Sequence, residues 1–238
     1  MPKENVPLFE IFGPVMIGPS SSHTAGVARI SYLARRMFGT LPAEARIRFY
    51  GSLASTWKGH GSGNAALAGL LGIHPEDEEI ARGGELLKQY REEGKGFPVE
   101  ISASAELPPS WHPNSMVIEI LGRDEGQRLT IRASSIGGGS IRIDEIDGFE
   151  VNLSGELEAL LVLHHDEIGV IAEVSQILAE ARINIAGTSS RRREKGDVAL
   201  LVVEADGKIP PALKKRLEDL PAVYRVRYIP SVGDGGDL

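Results

Sequence analysis

Two short runs carry side chains suited to chemistry. Residues 17–26 read IGPSSSHTAG, and residues 59–63 read GHGSG. The first run sets Ser20, Ser21 and Ser22 beside His23 and Thr24, directly ahead of Val27, Ala28, Ile30, Leu33, Met37 and Phe38 at helical spacing. Hydroxyls and free N–H groups at a helix N-terminus suit a small carboxylate, because the helix dipole favours negative charge there. His23 adds an acid–base group beside that anion site. A helix cap uses one hydroxyl, and this run supplies more than one. His60 is a second imidazole in a loop ahead of a helix, flanked by glycines and next but one to Lys58. Read alone, either histidine has a structural explanation; read together, they mark a candidate site.

These loops need elements to position them. Residues 46–50 read as a strand feeding a glycine-rich loop over 51–63. Residues 64–71, rich in Ala and Leu, read as a tightly packed helix, and 76–91 as a more polar, peripheral one. Residues 99–102, 116–120 and 129–133 alternate as strands do, with an irregular loop over 108–114. SSIGGGSIRI, residues 134–143, is glycine-rich and reads as a bulge or turn, or a close backbone approach. Composition shifts near 151–155. Beyond it the pattern is strand at 160–163, helix from Val170, strand from 183 to about 193, and a turn at 194–197. A strand at 198–203, a helix opened by Pro210 and Pro211, and a strand at 223–229 follow. That order is the ferredoxin-like βαββαβ arrangement, so the fold class is α/β (α+β). The loop 164–169 between first strand and helix contains His164, His165 and Asp166, and a strand-end loop explains them better than a metal site does.

Composition narrows the function. Acidic residues number 33 against 26 basic ones, a net charge of −7, which argues against nucleic acid as a partner. No apolar run approaches the roughly 20 residues that span a bilayer, and no signal-peptide pattern opens the chain. A cytoplasmic location is the expectation. The sequence holds 0 cysteines, so neither a disulfide nor a thiolate metal ligand is available within it. The stretch from Gly61 to Ala66 fits a loose G-x-G-x-x-A pattern. No acidic residue follows at the distance a dinucleotide-binding strand requires, so a nicotinamide-dependent dehydrogenase is a weak alternative.

Four stretches together resemble the β chain of the two-chain bacterial iron–sulfur L-serine dehydratase. They are FEIFGPVMIGPSSSHTAG at 9–26, YGSLASTWKGHGSG at 50–63, HPNSM at 112–116 and SSIGGGSIRI at 134–143. Residues from about 154 to 229 resemble an ACT domain through Asp166, Gly169 and Val170 before the helix and Asn184 and Ile185 after it. The resemblance implies a dehydratase domain over 1–152, an ACT domain over 153–230 and a flexible tail over 231–238. It implies conversion of L-serine to pyruvate and ammonia, with a [4Fe–4S] cluster on a partner α chain and no metal ligand here. Carried over by position, His60 is the α-proton base and His23 the second histidine. Ser20, Ser22, Thr24, Lys58, Gly61 and Ser62 line the substrate, and the ACT loop residues take an amino-acid effector. The family usually shows Gly-Thr-Asp after the Gly-His pair; here the chain reads Gly61-Ser62-Gly63-Asn64, so Ser62 keeps a hydroxyl but the acidic residue is gone. A homodimer through ACT sheets is also implied. The competing reading is a non-catalytic regulatory or assembly subunit that senses an amino acid.

Overall fold

The computed structural model describes residues 17–233. The start of the 9–26 motif and the end of the 231–238 tail lie outside the described residues.

The first sheet contains β1 (Glu44–Tyr50), β2 (Val99–Ser104), β3 (Ser115–Leu121), β4 (Arg128–Gly137), β5 (Ser140–Ile146) and β6 (Phe149–Leu153). Their spatial order is β2-β1-β3-β4-β5-β6; β1 and β2 run parallel and the other neighbours antiparallel. Alternation drives these strands. In β1, Ala45, Ile47 and Phe49 are buried while Arg46 and Arg48 point to solvent. Helix α1 (Gly26–Phe38) packs on β4 and β5 and also against α3 (Ser62–Leu71), so it is buried nearly all round. Each fully buried Ile or Leu in this layer contributes about 1.5–3 kcal/mol of transfer free energy. The helix stops at Gly39, whose left-handed conformation lets its N–H cap the Arg35 carbonyl.

Three local readings are corrected. Residues 51–63 are not one loop: α2 (Gly51–Thr56) forms first, and a tight turn then leads into α3. The helix read over 76–91 is broken into a 3₁₀ turn (Glu78–Arg82) and α4 (Gly83–Glu92). The break follows from contact with α3. A Cβ on Gly83 would stand 2.0 Å from the Asn64 carbonyl oxygen, and the Asn64 side chain bonds both Ala81 O and Gly84 N–H. The third correction is β6, which lies where a composition shift was read. Asp147 and Gly148, both at positive φ, form the two-residue turn that pairs it with β5.

The second sheet contains β7 (Glu158–His165), β8 (Asn184–Arg192), β9 (Val198–Asp206) and β10 (Val223–Ile229), with α5 (Val170–Glu180) and α6 (Pro211–Glu218) on one face. The order β10-β7-β9-β8, all antiparallel, is the expected ferredoxin-like topology. Leu160, Val162, Leu201 and Val203 face the helices, whereas Ala159, Leu161, Leu200 and Val202 join the core of the first sheet. Burial on both faces explains the unbroken apolar run at 160–163. Among the described residues, no helix is long and apolar enough to cross a membrane.

Candidate active site

The SSSHT run forms a π-helical turn (Ser21–Ala25) that continues directly into α1. Its entry is capped by Ser20, whose Oγ accepts the His23 N–H at 3.1 Å. A π turn widens the helix by one residue and is a frequent device at functional sites. Here it carries His23. His60 stands in the turn between α2 and α3, which is held by its N–H to Thr56 O at 3.0 Å. Thr24 Oγ1 donates to His60 O at 2.7 Å and so ties the two segments together.

The two histidines meet. His23 Nδ1 lies 3.2 Å from His60 Nδ1, with ring planes 11° apart. His23 Nε2 lies 3.1 Å from Ser52 Oγ and 3.3 Å from Asn114 Oδ1. These contacts are all satisfied by one assignment of the ring protons. Asn114 Nδ2 donates to Ser135 O at 3.4 Å, which leaves Oδ1 as the end facing His23. An amide oxygen only accepts, so His23 carries its proton on Nε2. The His23 Nδ1 lone pair then accepts from His60 Nδ1–H. In that assignment His60 Nε2 keeps its lone pair, the form a base requires.

Several packing contacts hold this arrangement. Gly51 has φ 55°, and a Cβ there would stand 2.4 Å from Pro113 O, so Ser52 N–H can bond that carbonyl at 2.8 Å. Gly26 lets α1 close onto β4, since a Cβ there would meet Ser135 Oγ at 2.0 Å. The loop before β3 is pinned by Asn114 N–H to His112 Nδ1 at 3.1 Å and Ser115 Oγ to His112 O at 2.7 Å. Behind it Ser115 meets Ser134, which donates to Asp144 Oδ2 at 2.5 Å, and Arg142 and Arg132 both approach that carboxylate. Arg132 also lies over the Trp111 ring at 4.7 Å.

The remaining expected residues sort by position. Ser22 is half-buried beside His23, and its hydroxyl has no hydrogen-bond partner among the described residues. Gly61 is left-handed and opens α3. Thr24 is 3% exposed and Ser62 fully buried, so their hydroxyls do not open on the histidine pair as expected of substrate-lining groups. Lys58 is exposed and rests 5.3 Å over the Trp57 ring. Ser52, Asn114 and Ser135 were not singled out from the sequence. Asn114 lies within the HPNSM motif, so a signal was present, but nothing local linked it to His23.

In the second unit, Asp166 accepts from Gly196 N–H at 3.0 Å and Arg192 at 3.2 Å. The Gly196 bond first, then Arg192, holds its carboxyl below the usual aspartate range. Asn184 Nδ2 donates to Asp206 at 2.6 Å, while Ile185 is half-buried on the same edge strand. Gly169, at φ 103°, turns the chain into α5, whose first residue Val170 is buried.

Fold and site together define an acid–base centre on a mixed α/β platform, joined to a ferredoxin-like unit. The chain belongs to the serine dehydratase beta chain family, whose model matches residues 7–146; an ACT domain model matches residues 159–222. It is 42% identical to a probable L-serine dehydratase beta chain from Bacillus subtilis over 93% of this chain and 97% of that one. It is 32% identical to the L-serine dehydratase beta chain of Peptoniphilus asaccharolyticus over 93% of this chain and 96% of that one. An L-serine dehydratase from Streptomyces coelicolor matches at 28% identity over 59% of this chain and 34% of its own length.

Proposed function

We propose that this chain, as the beta subunit of an L-serine dehydratase, supplies the base that removes the substrate α-proton. The observation that carries the proposal is the 3.2 Å contact between His23 Nδ1 and His60 Nδ1. With the His23 Nδ1 lone pair accepting from His60 Nδ1–H, the unprotonated nitrogen of the half-buried His60 is Nε2. When His60 takes the proton, its positive charge is stabilised through Nδ1–H by the His23 lone pair, and Asn114 and Ser52 keep His23 in the matching tautomer. The N–H groups at the start of the π turn, with the Ser22 hydroxyl, receive the substrate carboxylate beside the base. Thr24 and Ser20 hold the loops at the spacing this requires. A general base of this kind contributes about 10²–10⁴-fold to a rate.

The beta-chain names of the relatives support a partner α chain. The residues of this chain do not fit an iron–sulfur cluster. The sequence has no cysteine, and the described residues hold no group of three or more His, Cys, Asp or Glu placed to bind a metal. A [4Fe–4S] cluster therefore belongs with the α chain, and the part assigned here to this chain is proton transfer and carboxylate binding.

We read the chain as two units, 1–152 and 153–230, with a tail over 231–238; the two separate sheets support this division. The ACT unit receives an amino acid at the loop formed by Asp166, Gly169 and Val170 with Asn184 and Ile185. Asp166 and Asn184 are already paired within the chain, so the N–H groups where α5 begins are the natural donors to the amino acid's carboxylate. Strand β8 is an edge strand and mostly exposed, which supports pairing of two copies through it. The compartment proposed is the cytoplasm.

The test is His60→Ala co-expressed with the α chain under anaerobic conditions. Pyruvate formation from L-serine falls by about 10²-fold or more while the complex stays assembled on a sizing column. Full turnover by that complex would assign this chain a regulatory or assembly role alone.

A further inference from the structure

A groove of about 610 Å³ lies between the end of α1, the start of β4 and the strand β10 with α6, far along β4 from Ser135. A second hollow of about 390 Å³ shares the same arginines and is lined also by Asp147, Phe149 and Tyr224. Arg128, Arg225 and Arg227 line both. Their charges are poorly matched. Arg227 is 14% exposed at its side chain and pairs with Asp147 at 3.3 Å, but its Nη1 is buried with no hydrogen-bond partner. Burial and then the nearby Arg225 charge oppose the cationic form of Arg227, against the attraction of Asp147. Arg128 and Arg225 have no carboxylate partner for their guanidinium groups among the described residues. Elsewhere in the larger groove, Arg36 and Lys214 add positive charge, and Glu125 and Glu218 add negative charge. Glu218 lies 3.9 Å from Lys214 and accepts the Val226 N–H, so it is committed within the wall.

Guanidinium groups gathered along one groove repel one another, and with Arg227 largely desolvated beside the exposed Arg128 and Arg225 an anion would relieve that cost. Guanidinium forks bind carboxylate and phosphate oxygens in pairs, which lysine does not. We propose that this groove is a binding site for a small polyvalent anion, a compact polycarboxylate or a phosphorylated acid, held by Arg128, Arg225 and Arg227. Because Arg128 opens β4 while Arg225 and Arg227 belong to β10, one such ligand bridges the two sheets.

Titration calorimetry on the full chain, at constant ionic strength, tests this with citrate and with pyrophosphate as separate probes. At least one gives saturable binding, and the preferred probe tells carboxylate from phosphate recognition. Arg128 and Arg225 are exposed and unpaired, so Arg128→Gln with Arg225→Gln leaves the fold intact, with an unliganded Tm no lower than wild type. That double variant binds the preferred probe about tenfold or more weakly, or not at all. Absence of saturable binding by both probes, or undiminished affinity in the folded double variant, overturns the proposal.

Discussion

Asn114 Oδ1 lies 3.3 Å from His23 Nε2, and the two residues come from elements that are distant in sequence. The contact favours a proton on His23 Nε2, and through the 3.2 Å Nδ1 pair it favours a proton on His60 Nδ1. Asn114 is thus a positioning residue that acts on the base through another histidine.

Asn114→Leu removes the acceptor and lets His23 exchange tautomers. With the α chain present, kcat falls about 10²-fold, less than the roughly 10⁴-fold loss when a catalytic histidine is itself held in the wrong tautomer, because Asn114 acts on His60 only through His23. KM changes far less. Nitrogen NMR supplies an independent readout: His60 is Nδ1-protonated in the wild type and a mixture in the variant. An unchanged His60 tautomer would remove Asn114 from this role.

Gly51→Ala combines a left-handed backbone with a Cβ 2.4 Å from Pro113 O. The two effects destabilise the protein by about 2–4 kcal/mol. For a chain of this size that lowers Tm by roughly 5–15 °C. Activity falls at temperatures where the variant is still folded, because Ser52 is displaced from His23. A scanning calorimetry trace matching wild type would contradict the packing described.

Asp144 is 8% exposed and faces Ser134, Arg132 and Arg142. Asp144→Ala leaves those donors without their shared acceptor and costs about 3 kcal/mol. Arg142→Ala, whose side chain is 41% exposed, costs about 1 kcal/mol or less. Urea unfolding of both variants tests the order; equal losses would mean the carboxylate is not the hub.

Asp166 has its folded carboxyl held below the ordinary aspartate value by Gly196 N–H and Arg192. A depressed acid contributes stability that is complete above the unfolded-state value of about 3.9 and is lost as pH falls through the folded value. The turn at 194–197 therefore stays closed at neutral and mildly acid pH. The Asp166 carboxyl carbon titrates below a free aspartate by NMR, and Asp166→Asn removes the acid loss of stability that it causes. A midpoint at the ordinary value would show that Gly196 does not hold it.

The helices and strands were largely legible because period and punctuation are local properties. The βαββαβ order of residues 158–229 follows from short apolar runs such as 160–163, the helical period from Val170, the turn at 194–197, and Pro210 and Pro211 at a helix start. The misread elements are those where contact overrides pattern. Gly83 breaks a helix because α3 passes against it, and β6 pairs only because Asp147 and Gly148 turn the chain back onto β5. Asp-Gly between apolar residues was the available signal.

The sequence by itself supplied the chemical parts: two imidazoles in loops before helices, a hydroxyl-rich helix entry, and no thiolate. Only the tertiary structure brought His23, His60, Ser52 and Asn114 to one point, and it turned Thr24 inward onto the His60 carbonyl. The physical reason is range. Helix periodicity and capping are decided within a few residues, whereas a tautomer is set by an acceptor that arrives from a different strand when the sheet closes.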